Sequence, residues 1–492
     1  MSSTRAGCDS TGSGLGPGVL RPGGLRPAEL WRVFRMQSPA FQLAGLYLVF
    51  EYVRPQSRFP ALDFLPWTQI VILSGIAALI PELGRKGGAR TSILFWLIVY
   101  LAIAAISLLF AEFPSVGLEK WAFLLPWIVI FFLIANVTTS IDRFLLLLII
   151  YVLCNLRFSQ FGLRSFVLGG FTLPGYGFHG PVGWFQNSGE LGVQMAMFVP
   201  LSVMVSVALW NRWGTIGKGV LVLVPVSAVV TTVGTMSRGA ILAAAVAICW
   251  IALALGVRIR NFVVIGMLAG IGALLIPDRL MERFESAGED TTSTRRLTMW
   301  KDGIEIIREH PIIGVGYFNW MPYYRLHFPA VDDVGYLGSH QLPHNILIQA
   351  AAELGFIGLA VFLVLLFLSF HTNRSTRMLL PLQPEFRPLR LISHGLDASM
   401  LAFFVAGQFV TVLYYPYFWI TLALVAALHE GCRREFVLPR RRGAQRVNRQ
   451  GEKARADHQG VLSPKYGPAI ARPASRQMVG TRKRHGAQSD RG

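Results

Sequence analysis

Cysteine is scarce. Cys8, Cys154, Cys249 and Cys432 are the only four in 492 residues, and no two form a C-x-x-C pair, which leaves neither a disulfide framework nor a thiolate metal site. Charge is scarce as well, at 15% of residues against 53% hydrophobic, and it leans one way, to a net +19. Alternation of apolar and polar residues is missing, which excludes barrel strands. The apolar residues are not spread along amphipathic elements either, as they would be in a soluble enzyme of this length. Residues 1–37 have no apolar core ahead of a small-residue cleavage site, which argues against a secretory signal peptide. No H-E-x-x-H metal motif occurs.

What the chain does have is a series of Leu/Ile/Val/Ala-rich runs of roughly 15 to 25 residues, the length that crosses a bilayer core of about 30 Å. They predict an all-α polytopic membrane protein with about twelve spans, at 39–53, 66–81, 92–111, 121–137, 141–156, 190–210, 217–235, 239–256, 261–277, 344–370, 391–411 and 413–430. Cations gather in alternate loops: Arg85, Lys86 and Arg90, then Arg143, then Arg212 and Lys218, then Arg258 and Arg260, then Arg374, Arg377, Arg387 and Arg390. That asymmetry predicts both chain ends in the cytoplasm of a bacterial inner membrane. It accounts for the positive charge without nucleic acid, and it leaves segments 157–189 and 278–343 outside, in the periplasm. The expected organisation is a basic disordered leader over 1–37, nine helices over 38–277, a functional outer loop over 278–343, three helices over 344–432, and a basic disordered tail over 433–492 whose natural contact is anionic membrane lipid.

Several side chains are placed for chemistry. Arg238 stands in Met236–Ser237–Arg238–Gly239–Ala240 between two apolar runs with almost no loop. A guanidinium at the membrane boundary either snorkels or meets an anion, and its rigid fork of donors suits phosphate. In the outer loop, Ser293 to Ile307 spaces Leu297, Trp300, Ile304 and Ile307 as one apolar stripe, which predicts an amphipathic helix on the membrane surface. Arg295 and Arg296 stand about 100° apart on it, and Arg296 shares a face with Trp300. The helix ends at His310–Pro311, and Gly314–Val315–Gly316 follows as a turn.

Farther on, His340–Gln341–Leu342–Pro343–His344–Asn345 opens an apolar run. This predicts His344 in the first turn of a membrane helix, where the dipole favours its neutral form. A zinc site on His327, His340 and His344, or a cation at Asp332–Asp333, is the weaker reading, because Pro343 breaks the helix a histidine pair would need. Glu353, nine residues beyond His344, falls on the far face of a regular helix and fits a structural partner better than a catalytic one.

Three stretches together resemble the shared region of the O-antigen ligase and O-antigen polymerase superfamily. They are Met236–Ser237–Arg238–Gly239–Ala240–Ile241–Leu242; Arg296–Leu297–Thr298–Met299–Trp300 with Pro311 to Gly316; and Pro343–His344–Asn345 with Glu353 to Gly358. Glu51 to Gln56 and Gly180 to Asn187 are similar to members as well. The resemblance covers roughly residues 40–430 and implies an inverting, metal-independent glycosyltransferase of the GT-C type that uses no cofactor. It also implies a glycan donor on undecaprenyl pyrophosphate and an acceptor hydroxyl on lipid A core or a similar glycan. The family's two arginines and histidine map onto Arg238, Arg296 and His344, with Arg295 competing for the second place. Trp300, Asn187 and Asn345, which stand within those motifs, are expected to contact substrate.

A ligase is the leading expectation, ahead of a repeat-unit polymerase and a protein O-oligosaccharyltransferase. A polysaccharide transporter or flippase would need internal repeats and charges at the bilayer midplane, and neither is evident.

Overall fold

Inside a bilayer the backbone must satisfy its own polar groups, so long apolar runs can only coil. The computed structural model describes residues 27–256, 291–328 and 341–438, apart from 60, 62, 87, 90, 174–176 and 182. Among these residues every regular element is helical. The described helices begin with α1 (Pro27–Arg35), α2 (Pro39–Tyr52), α3 (Trp67–Lys86), α4 (Ser92–Leu109) and α5 (Trp121–Val137). They continue with α6 (Ile141–Leu168), α7 (Ser188–Leu209), α8 (Thr215–Gly234) and α9 (Arg238–Ala254). In the segment 291–328 lie α10 (Thr291–Glu309) and α11 (Trp320–His327), and the last three are α12 (Ile346–Leu379), α13 (Arg387–Ala406) and α14 (Pro416–Cys432).

Eight helical stretches of the described residues are long and apolar enough to cross a membrane, against the twelve spans expected. The difference has two parts. The helices α2, α9 and α14 are shorter, at 14, 17 and 17 residues, and the expected span 261–277 lies outside the described residues. Helix α6 runs to Leu168, beyond the predicted end at 156, because Arg157 and Arg164 interrupt hydropathy without interrupting helix propensity. Two stretches expected to be disordered carry structure: α1 forms inside the leader and packs Leu30, Val33 and Phe34 on the core, and the chain stays helical through Arg433–Val437.

The helices are tied by buried polar groups that bond one another across helix boundaries. Gln194 of α7 donates to Asn155 and Tyr151 of α6 at 2.6 and 3.1 Å. Arg377 of α12 reaches Asp397 of α13 at 2.6 Å, and Asn373 supplies a second donor to that carboxylate.

One break positions the functional end. Gly355 turns α12 out of helical geometry at φ 66, ψ −174, and the carbonyls of Ala352 and Glu353 then accept from the backbone amides of Val315 and Gly316 at 2.8 and 2.9 Å. Phe356 N–H donates to Pro311 O at 2.8 Å in return. The turn Pro311–Gly316 thus docks backbone to backbone. Glycine is required on both sides, since a Cβ on Gly314 would stand 2.5 Å from the Glu353 carbonyl carbon and one on Gly355 would stand 2.1 Å from Ile312 O. The Glu353 side chain sits beneath the dock, accepting from Tyr414 Oη at 2.7 Å and from Trp320 N–H at 3.4 Å. That is the structural role its position suggests.

This dock makes a prediction. Gly355→Ala combines a left-handed backbone with a clash and is expected to cost at least about 2 kcal/mol. Gly84→Ala, where a Cβ meets nothing within 4 Å, is expected to leave stability unchanged or slightly higher. Thermal unfolding of the detergent-purified protein measures both, and equal melting temperatures would refute the account.

Candidate functional site

Arg238 opens α9. Met236 before it adopts a left-handed φ of 55, and Ser237 caps the helix through Ala240 N–H at 3.4 Å. Met236 and His344 are two of five non-glycine residues in that costly conformation among the described residues, so strain gathers where the motifs lie. The half-buried Arg238 guanidinium donates to Ser293 Oγ at 3.1 Å, in the first turn of α10, the helix that carries Arg295 and Arg296.

Helix α10 forms over the predicted stretch, and the face it packs against the protein is a different one from the predicted membrane-facing stripe. Met299 and Ile306 are 5% and 0% exposed against Val315, Trp320, Tyr323 and Tyr324, whereas Leu297 and Ile304 are 47% and 45% exposed. The cause is Gly303, which admits Trp320 and Ile348 so closely that a Cβ would meet them at 2.9 and 2.5 Å. A glycine is silent in a hydrophobic pattern, so the docking face could not be found there.

Two indoles fix the segment ahead of α12. Trp300 Nε1 donates to Pro343 O at 2.8 Å, and Trp320 Nε1 donates to Gln341 O at 3.0 Å. Trp300 is therefore engaged in holding the histidine segment in place. The expectation that His344 lies in the first helical turn is corrected: the helix starts at Ile346, Asn345 caps it, and His344 precedes the cap with φ 50. Asn345 Oδ1 accepts from Leu347 and Ile348 N–H at 2.9 and 3.1 Å, which commits that oxygen to the cap.

The partner of His344 is Thr411. Its Oγ1 accepts from His344 N–H at 3.0 Å and lies 3.3 Å from ring Nδ1. Sequence reasoning missed Thr411 because it sits at the end of an apolar run with no motif around it. The neighbouring Phe409 packs so tightly on Gly239 that a Cβ there would stand 2.8 Å away, so the segment between α13 and α14 touches the start of α9 as well. Burial first, and then the positive charge of Arg296, push the His344 imidazole down to about 4. The cause is not the helix dipole that the sequence suggested.

The segments 51–56 and 180–187 also meet. Trp184 Nε1 donates to Glu51, and Arg54 lies against Gly183, where a Cβ would collide with its guanidinium. Trp184 stacks edge-on to Tyr415, 5.1 Å between ring centres, and Tyr417 Oη donates to Glu190 O at 3.0 Å. Asn187 stands exposed at the entrance to α7 and donates to Glu190 Oε1 at 3.1 Å. Of the other histidines, His327 pairs with Glu112 at 2.8 Å, while His340, Asp332 and Asp333 lie outside the described residues.

The electrostatics can be checked directly. The fold favours the neutral His344 ring, so protonation subtracts stability as pH falls from the ordinary 6.5 toward about 4, and the ring contributes no pH dependence above that window. In Arg296→Gln the ring is expected to titrate higher than in the unmodified protein but still below 6.5, because burial is the larger cause. Histidine-labelled NMR in detergent reads both values; an ordinary titration in the unmodified protein would contradict this geometry.

Comparison with curated proteins finds no match. The family described as O-Antigen ligase matches residues 223–363, a stretch that runs from α8 into α12 and contains Arg238, Arg295, Arg296, Trp300 and His344. That match, on a bundle of membrane-length apolar helices with its motifs gathered at one end, supports a likeness of this stretch to the O-antigen ligase and polymerase superfamily.

Proposed function

We propose that this chain is an inverting membrane glycosyltransferase that moves a glycan from undecaprenyl pyrophosphate to an acceptor hydroxyl, on lipid A core or a similar glycan, at the periplasmic face of the inner membrane. One observation carries the reading. Arg238 bonds the first turn of the helix that bears Arg296, and the Arg296 charge reaches a half-buried His344 that is held neutral. Two fixed cations beside one proton acceptor suit the departure of a diphosphate.

In this mechanism the acceptor oxygen forms a bond to the anomeric carbon as the bond from that carbon to the pyrophosphate oxygen breaks. The electron pair leaves with the diphosphate, where Arg238 and Arg296 meet the developing charge. The acceptor proton passes to His344. Thr411 Oγ1 has two lone pairs and can accept both the backbone N–H and Nδ1–H of His344, which frees Nε2 as the base. Donor and base act on opposite faces of the sugar carbon, so configuration inverts. The guanidiniums supply the charge that a metal would otherwise bring.

Arg238→Ala and Arg296→Ala are each expected to lower transfer by roughly 10²–10³, as for other preorganised charge contacts. His344→Ala removes the base and is expected to cost about 10²–10⁴. Thr411→Val is expected to lower kcat with little change in donor KM, because it disturbs the tautomer and leaves the cations in place. Reconstitution with a defined lipid-pyrophosphate glycan and a panel of acceptors is the assay, and full activity in any alanine variant would remove that residue from the mechanism. In a deletion strain, accumulated lipid-linked polymer would mark a ligase, whereas single repeats on the surface would mark a polymerase.

A further inference from the structure

At the end of the bundle opposite His344, the chain leaves α7 through Trp210–Arg212, enters α8, and later approaches α13 through Pro384–Phe386. A cavity of about 720 Å³ opens there between the end of α7, the start of α8 and the start of α13. Its wall is apolar along Val222, Pro225 and Leu391, and its rim carries Trp210, Arg212 and Arg387. Among the described residues neither guanidinium makes an ion pair or a hydrogen bond with the protein, and Lys218 lies 5.5 Å from the centre of the Trp210 ring. Pro225 has no N–H to give Leu221 O, and Ser206 Oγ takes that place at 2.6 Å, which closes the floor of the cavity without leaving an unpaired carbonyl. The space is therefore a largely apolar cavity with two arginines among its lining residues.

A second cavity, of about 930 Å³ between α1, α2, α6, α7 and α8, provides the contrast. It is larger and no charged residue lines it, so it suits hydrocarbon of any kind and gives no selectivity for a headgroup.

We infer that the smaller cavity is a binding site for one anionic glycerophospholipid, with an acyl chain along Val222, Pro225 and Leu391 and the phosphate between Arg212 and Arg387. Two unpaired guanidiniums, a lysine and a tryptophan at the mouth of an apolar slot select an amphiphile with a negative head and exclude a zwitterion of the same shape only by charge. The site is remote from the candidate glycosyl-transfer residues and does not depend on how those are read.

The test uses the full chain in phosphatidylcholine nanodiscs containing phosphatidylglycerol as the probe, with lipid retained through detergent exchange counted by native mass spectrometry. The unmodified protein is expected to keep one phosphatidylglycerol. Arg212→Ala with Arg387→Ala is expected to lower its affinity roughly thirtyfold, as two interfacial cations would. Val222→Trp, which fills the slot and leaves both charges, is expected to reduce retention as well. Arg374→Ala, which removes an exposed cation outside both cavities, is expected to have no effect. Retention that is unchanged in the double variant, or lost equally in Arg374→Ala, overturns the site; loss in the double variant with full retention in Val222→Trp would mean a surface anion contact in place of a seated lipid.

Discussion

The backbone dock between Pro311–Gly316 and the break in α12 is the constraint on which the functional end rests. A continuous helix would spend the carbonyls of Ala352 and Glu353 on its own next turn. By breaking at Gly355 it offers them to Val315 and Gly316, and the segment around the turn gains two strong bonds to a rigid element. From that anchor Trp320 is placed, and Trp320 supports α10 through Gly303 and holds Gln341. Helix α10 in turn carries Arg296 and brings Trp300 to Pro343. The cations and the histidine come from three elements far apart in sequence, and their mutual placement follows from a few main-chain bonds that only glycine permits.

Much of the architecture was legible because the bilayer leaves so few choices. Length and hydropathy alone locate α3 to α9 and α12 to α14, although α6 and α12 run on to Leu168 and Leu379, well past the predicted ends at 156 and 370, and the pattern around Ser293–Ile307 correctly announces a helix. What it could not announce was that helix's buried face. Side-chain hydropathy says nothing about Gly303, and a glycine can take the centre of an interface by letting two larger neighbours approach. Span count was harder for a related reason: short helices such as α2 and α14 sit among neighbours that bury them, so protein supplies the apolar surroundings that length would otherwise have to secure.

The site divided along similar lines. Arg238, Arg296 and His344 stand out in the sequence because charge at a membrane boundary is conspicuous. Thr411 and the Glu51–Trp184 contact do not, since a threonine at the end of an apolar run and a glutamate at the end of another look like ordinary helix termini. His344 shows how an expected protonation state can arise from a different cause. Its neutral ring was expected from a helix dipole, yet the helix begins two residues later, and burial with a nearby guanidinium produces the same protonation state by another route.

The link from His344 to Thr411 crosses the boundary of the matched stretch, which ends at residue 363. The charge-bearing part and the part that orients the imidazole are thus separately encoded. Substitutions in the segment between α13 and α14 can re-aim the ring while both guanidiniums stay where they are. On the proposed reading, a change of acceptor would be a small evolutionary step in such a scaffold, and a change of donor a large one.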